Sequence, residues 1–105
     1  MIRERIHFTV KNLAGWNEAL DLIREVDEIQ AAAGRATGTV WTQVVGQFNE
    51  IVNETDHPDL SAYERETAAL MSDPAVMKLL ARFEEITVTD KGYSELFMTA
   101  EKAAG

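Results

Sequence analysis

The chain has 105 residues, 46% of them hydrophobic and 27% charged, with no cysteine and a formal net charge of -8 from 18 acidic against 10 basic residues. That length suits one domain with a core of its own, and the lack of cysteine excludes disulfides and thiolate chemistry, in keeping with a reducing, cytoplasmic setting. The acidic balance repels a polyphosphate, and Arg3, Arg5, Lys11, Arg24 and Arg35 are interleaved with acids rather than gathered in a stripe, so nucleic acid is excluded as a partner. No apolar run approaches the about 20 residues a membrane span needs, and none follows Met1 as a leader would, so no membrane partner is expected.

From Ile2 to Val10 the residues alternate. Ile2, Ile6, Phe8 and Val10 fall on one side and Arg3, Arg5, His7 and Thr9 on the other, the pattern of a strand with one apolar face that Glu4 interrupts. Trp16, Ala19, Leu20, Ile23, Val26 and Ile29 then recur at spacings of three and four, which predicts an amphipathic helix from about Leu13 to Ala33, capped by Asn12 and stopped by Gly34.

After Gly38, the β-branched and aromatic run Val40 to Val45 predicts a second strand, and Gly46-Gln47 a turn into a third over Phe48 to Asn53. The polar stretch Glu54 to Pro58 reads as a connection, with His57 solvated in it. A second helical region follows, entered through a Ser61/Glu64 capping box and restarted at Asp73-Pro74, so it divides near Ser72. Asp90-Lys91-Gly92 turns the chain into a last strand over Tyr93 to Thr99, Ile86 to Thr89 can add a short extended piece, and residues 101–105 read as a frayed tail behind a single domain of residues 1–100.

The series βαββαβ predicts an α+β, ferredoxin-like sandwich: a four-stranded antiparallel sheet with helices on one face. Ile6, Phe8, Val10, Val40 and Val44 are then expected beneath the helices. The other face carries Arg5, His7, Thr9, Trp41, Gln43 and Val45, joined by Tyr93 or Phe97, which is too apolar to stay hydrated and too polar for a dry core. A second copy of the chain packed against it would cover it and enclose a partly polar cavity, so a homodimer is expected.

The run Gly46-Gln47-Phe48-Asn49-Glu50-Ile51-Val52, with Tyr63-Glu64-Arg65-Glu66 and Leu70-Met71-Ser72-Asp73-Pro74, resembles NIPSNAP-like members of the dimeric α/β-barrel superfamily. The resemblance implies a dimeric barrel with a pocket between sheet and helices or inside the barrel. Relatives in that superfamily include cofactor-independent monooxygenases, haem-degrading enzymes, aromatic-ring cyclases and proteins of unknown role. The paired Asn and His signature of the haem-degrading members is absent here.

His7 is the candidate catalytic residue, since an imidazole on the polar face of the first strand can exchange a proton near neutral pH; its structural counterpart is a histidine hydrogen-bonded inside a dimer interface. Arg5 can hold an anionic ligand or pair with Glu50, Glu95 or an acid of a second copy. Trp41 and Gln43 offer an indole platform and an amide for a planar aromatic or polyketide-like ligand, and Tyr63 can reach a pocket mouth. His7 and His57 with Glu50 or Glu95 are metal-ligand types, but no two share a diagnostic spacing, so neither metal nor cofactor is expected. Two readings stand side by side: a small protein that binds or oxidises an organic molecule in a cavity between sheet and partner, on the Arg5, His7, Trp41 and Gln43 face, in its most concrete form a cofactor-independent monooxygenase, or a non-enzymatic homodimeric interaction protein without a pocket.

Overall fold

A computed structural model describes residues 1–46 and 48–102. Its strands are β1 (Ile2–Thr9), β2 (Thr39–Thr42), β3 (Glu50–His57) and β4 (Tyr93–Met98), and its helices α1 (Trp16–Ala32), α2 (Leu60–Met71) and α3 (Pro74–Ile86). The four strands form one antiparallel sheet in the order β2-β3-β1-β4, the ferredoxin-like α+β arrangement that the order of periods predicts.

Helix ends follow their local chemistry. Asn12 caps a 3-10 turn over Leu13–Gly15, its side chain accepting from the Gly15 N–H, and α1 proper begins one turn later than predicted. At the other end Gly34 takes φ 73°, its N–H bonding Ala31 O while the Arg35 N–H reaches Gln30 O at 2.9 Å, the paired closure that a left-handed residue permits. Asp59, rather than Ser61, caps α2, accepting from the Ala62 N–H at 2.8 Å. Asp73 caps α3 and Pro74 opens it, so the helical region divides at Ser72 as expected.

The second and third strands depart from their predicted bounds. β2 stops at Thr42, leaving Val44 98% and Val45 91% exposed in the loop, so neither belongs to a sheet face. β3 runs on to His57 through residues expected to be a connection. Its polar sequence is stable as strand because the register sets Glu54 opposite Arg5 and Asp56 opposite Arg3, and each pair closes an ion pair at 2.7 Å. The predicted turn residue Gln47 lies outside the described residues, as do residues 103–105 of the expected tail. The short extended piece after α3 is a single bridge between Thr87 and Val10.

The core lies between sheet and helices. Val10, Ala19, Leu22, Ile23, Ile51 and Phe83 are buried together, with Phe8 edge-on to Phe83 at 4.6 Å. On the uncovered face the register aligns Trp41, Val52, His7 and Tyr93 in one row across the sheet, with Arg5 in the next row and Phe97 in the one after it, opposite Arg3.

Candidate functional site

The row through His7 is tied together by its own side chains. His7 is only 9% exposed: its Nδ1 lies 3.1 Å from Glu50 Oε1, its Nε2 lies 2.5 Å from Glu95 Oε1, and its ring stacks on Tyr93 at 4.0 Å and 9°. Both ring nitrogens are therefore engaged. Gln43 donates to the same Glu50 carboxylate at 3.3 Å, and Trp41 stands beyond Val52 with 54% of its surface exposed. Arg5 pairs with Glu54, not with Glu50 or Glu95, and its guanidinium lies 4.7 Å above the Phe97 ring. Four of the five predicted site residues thus share the open face.

Tyr63 does not join them. It projects from α2 on the covered side, edge-on to His57 at 5.5 Å and hydrogen-bonded to Glu4 and Thr67. His57 is there too, and it is not solvated: as the last residue of β3 it points under the helices with 6% exposure, its Nδ1 2.9 Å from Glu66 Oε2. That contact is not aligned as a straight hydrogen bond. The two histidines are on opposite faces, which splits the metal-ligand set considered from sequence; among the described residues no group of three or more such side chains gathers as a metal site.

The covered side holds a cavity of about 300 Å³ between β1, β3 and all three helices. Ile6 and Phe8, Leu22 and Val26, Leu70 and Leu80 wall it, while Glu4, Asn53 and Thr67 supply its polar groups. A smaller cavity of about 80 Å³ shares Glu4, Asn53 and Thr67 as walls and adds Asp27, His57 and Glu66, so a polar chamber adjoins an apolar one. Gly38 closes against it: a Cβ there would lie 2.1 Å from Asn53 Oδ1, so only glycine lets the chain pass so near. A more open groove of about 410 Å³ lies between α3 and the β4 edge, sharing Ile6, Phe8, Leu80 and Phe83 with the apolar chamber and reaching His7 and Tyr93.

The polar chamber perturbs its acids. Burial pushes the Glu4 carboxyl above the usual carboxylate range, an effect opposed by the nearby His57 and by the Tyr63 hydroxyl. Burial likewise raises Asp27, opposed by the Gly38 N–H that it accepts. Asn53 Oδ1 is buried without a hydrogen-bond partner. This group escaped sequence reasoning because Glu4 looked like a break in an apolar face and His57 like a loop residue. The signal available was period two itself, which places Asn53, Thr55 and His57 on one side once the strand is allowed to continue.

No family model matches the chain, and no curated protein sequence does. Solved structures do match in fold. An uncharacterized NIPSNAP domain protein from Burkholderia xenovorans is 18% identical over the whole of both chains, with a TM-score of 0.76. An antibiotic biosynthesis monooxygenase is 13% identical over 96% of this chain and 100% of its own, at 0.73. A mutant of SnoaB, a cofactor-independent oxygenase from Streptomyces nogalater, is 15% identical over 96% and 94%, at 0.71. The chain therefore has the fold shared by NIPSNAP domain proteins and these oxygenases. Among the described residues no helix is long and apolar enough to cross a membrane.

Proposed function

We propose that this chain binds a small, largely apolar, aromatic molecule in the chamber between its sheet and helices, and that it does so as a homodimeric cytoplasmic protein whose residues 1–100 act as one domain. The apolar chamber with polar groups at one side carries the reading. At about 300 Å³ it matches the lower end of small-ligand pockets, and its few polar groups are of the kind that orient a ligand rather than solvate it. Oxidation of an electron-rich ligand without metal or flavin is the reaction we infer, and the cofactor-independent oxygenase of the same fold supports it. The open face, where Trp41, Tyr93 and Phe97 remain exposed, supports pairing with a second copy. In that arrangement Arg5, His7, Trp41 and Gln43 serve the interface or a second wall of the site, and Tyr63 serves the chamber.

Thermal unfolding with a panel of planar aromatic alcohols and quinols tests the reading, with oxygen uptake recorded for each quinol. A ligand that raises the midpoint for the natural chain, but not for Leu80→Trp in which the chamber is filled, is the expected result. If no member of the panel moves the midpoint, the chamber is a packing void. The alternative then stands, a homodimeric interaction protein without a ligand.

A further inference from the structure

The wall of the apolar chamber carries a single charged side chain. Glu4 is the one acidic or basic residue that lines it, and it lines the adjoining polar chamber as well. Among the described residues no lysine or arginine borders either chamber. The basic side chain at the polar end is His57, and the Glu66 carboxylate faces it at 2.9 Å, whereas neither Glu4 nor Asp27 closes an ion pair among the described residues. Burial raises the Glu4 carboxyl because its charge is short of both water and a countercharge.

The hydrogen bonds at this end leave acceptors over. The Tyr63 hydroxyl has one proton and gives it to Glu4, so the hydrogen bond between Tyr63 and Thr67 takes its proton from Thr67, and what the Thr67 oxygen keeps is the capacity to accept. Asn53 Oδ1 is a further acceptor, buried and without a donor. A carboxylate also has more lone pairs than the Tyr63 hydroxyl fills.

Resting on the ligand-binding reading, we infer that the ligand is an arylalkyl amine whose protonated nitrogen pairs with Glu4 while its ring lies among Phe8, Leu22 and Leu80. An ammonium group has three N–H donors and no acceptor, the complement of a wall that offers the Glu4 carboxylate, the Thr67 oxygen and the Asn53 carbonyl. Bonds in which both groups are charged are stronger than neutral ones, and the apolar surroundings leave them little screened. An anionic ligand of the same shape meets Glu4 in the apolar chamber and Asp27 and Glu66 beyond it, so it is rejected.

Phenethylamine, phenethyl alcohol and phenylacetate share a ring and nearly a shape, and differ in charge. Titrated calorimetrically at about pH 8, between the ordinary carboxylate and amine ranges, they separate charge from fit. The natural chain should bind the amine about tenfold more tightly than the alcohol, and phenylacetate more weakly than either. Glu4→Gln, which keeps the shape of the wall without its charge, should bind amine and alcohol alike. In the natural chain the carboxyl carbon NMR signal of Glu4 should titrate at lower pH with the amine bound than without it. An amine that binds no better than the alcohol, a preference that survives Glu4→Gln, or phenylacetate as the tightest of the three overturns the inference and leaves the ligand-binding reading standing. A Glu4 signal that the bound amine does not move overturns it even if the variant fails to fold. If none of the three compounds binds, the inference and the reading it rests on fall together.

Discussion

On the open face His7 is held at both nitrogens by Glu50 and Glu95 and stacked on Tyr93, so the imidazole works as a bracket between strands β3, β1 and β4. On the covered face His57 has one carboxylate neighbour, Glu66, and an adjoining cavity. The same side chain thus has two surroundings on one sheet: carboxylates at both nitrogens leave His7 no ring atom for a ligand, whereas His57 lines a cavity wall. Position on a polar sheet face made His7 the sharper candidate from sequence. In the structure it is His57 that lines a cavity on the covered side.

The comparison breaks most visibly if the open face is not an interface. Trp41→Glu places a charge where a second copy would sit, and sedimentation at micromolar concentration should shift from a mass near twice 11.7 kDa toward 11.7 kDa. A natural chain that sediments as a monomer removes the interface role of that face.

Adjacent residues of β3 then separate the two faces energetically. Ile51 points under the helices with no exposure, and Ile51→Ala should cost about 2–5 kcal/mol by denaturant unfolding. Val52 points to the open face, and its truncation to Ala should cost about 1–2 kcal/mol. Equal losses at the two sites would mean that both faces are packed alike.

His7→Ala strips the buried Glu50 carboxylate of one of its hydrogen bonds and should cost about 1.5–3 kcal/mol, with cleft binding of a ligand retained. Loss of binding without loss of stability would return the active role to His7.

The smallest effect is one of pH. Because the folded chain raises Glu4, it holds more protons than the unfolded chain between the two carboxyl values, so Glu4 lowers stability as pH rises through that interval. Glu4→Gln should therefore be more stable than the natural chain at neutral pH, with the gain vanishing as pH falls below the ordinary carboxylate range. The opposing influence of His57 and Tyr63 keeps it modest. A variant less stable at neutral pH would show that the Glu4 charge is needed in place.

The fold was legible wherever a residue's period agreed with its chemistry: β1 alternates cleanly, α1 repeats at three and four, and Asp73-Pro74 both caps and starts a helix. It was illegible where long-range pairing overrode composition. Glu54 and Asp56 read as loop because the arginines that neutralise them are about fifty residues earlier in the chain, and Val44 and Val45 read as strand because β propensity carries no information about a partner. The site was split by the same effect. Strand alternation grouped Arg5, His7, Trp41 and Gln43 on one face, but seeing His57 beside Glu4, Tyr63 and Glu66 required β3 to be four residues longer and α2 to be docked.

The strand order has a consequence for biosynthesis. β1 is central, paired with β3 along one edge and with β4 along the other, from Ile2 opposite Met98 to His7 opposite Tyr93. It leaves the ribosome before the other three strands, yet its second edge gains a neighbour only when β4, the last of them, has followed. Until then β1 presents an open row of N–H and C=O groups next to apolar side chains, the template on which a strand of another nascent chain can pair. The arginines at positions 3 and 5 sit on that strand, charged residues of the kind that discourages such pairing.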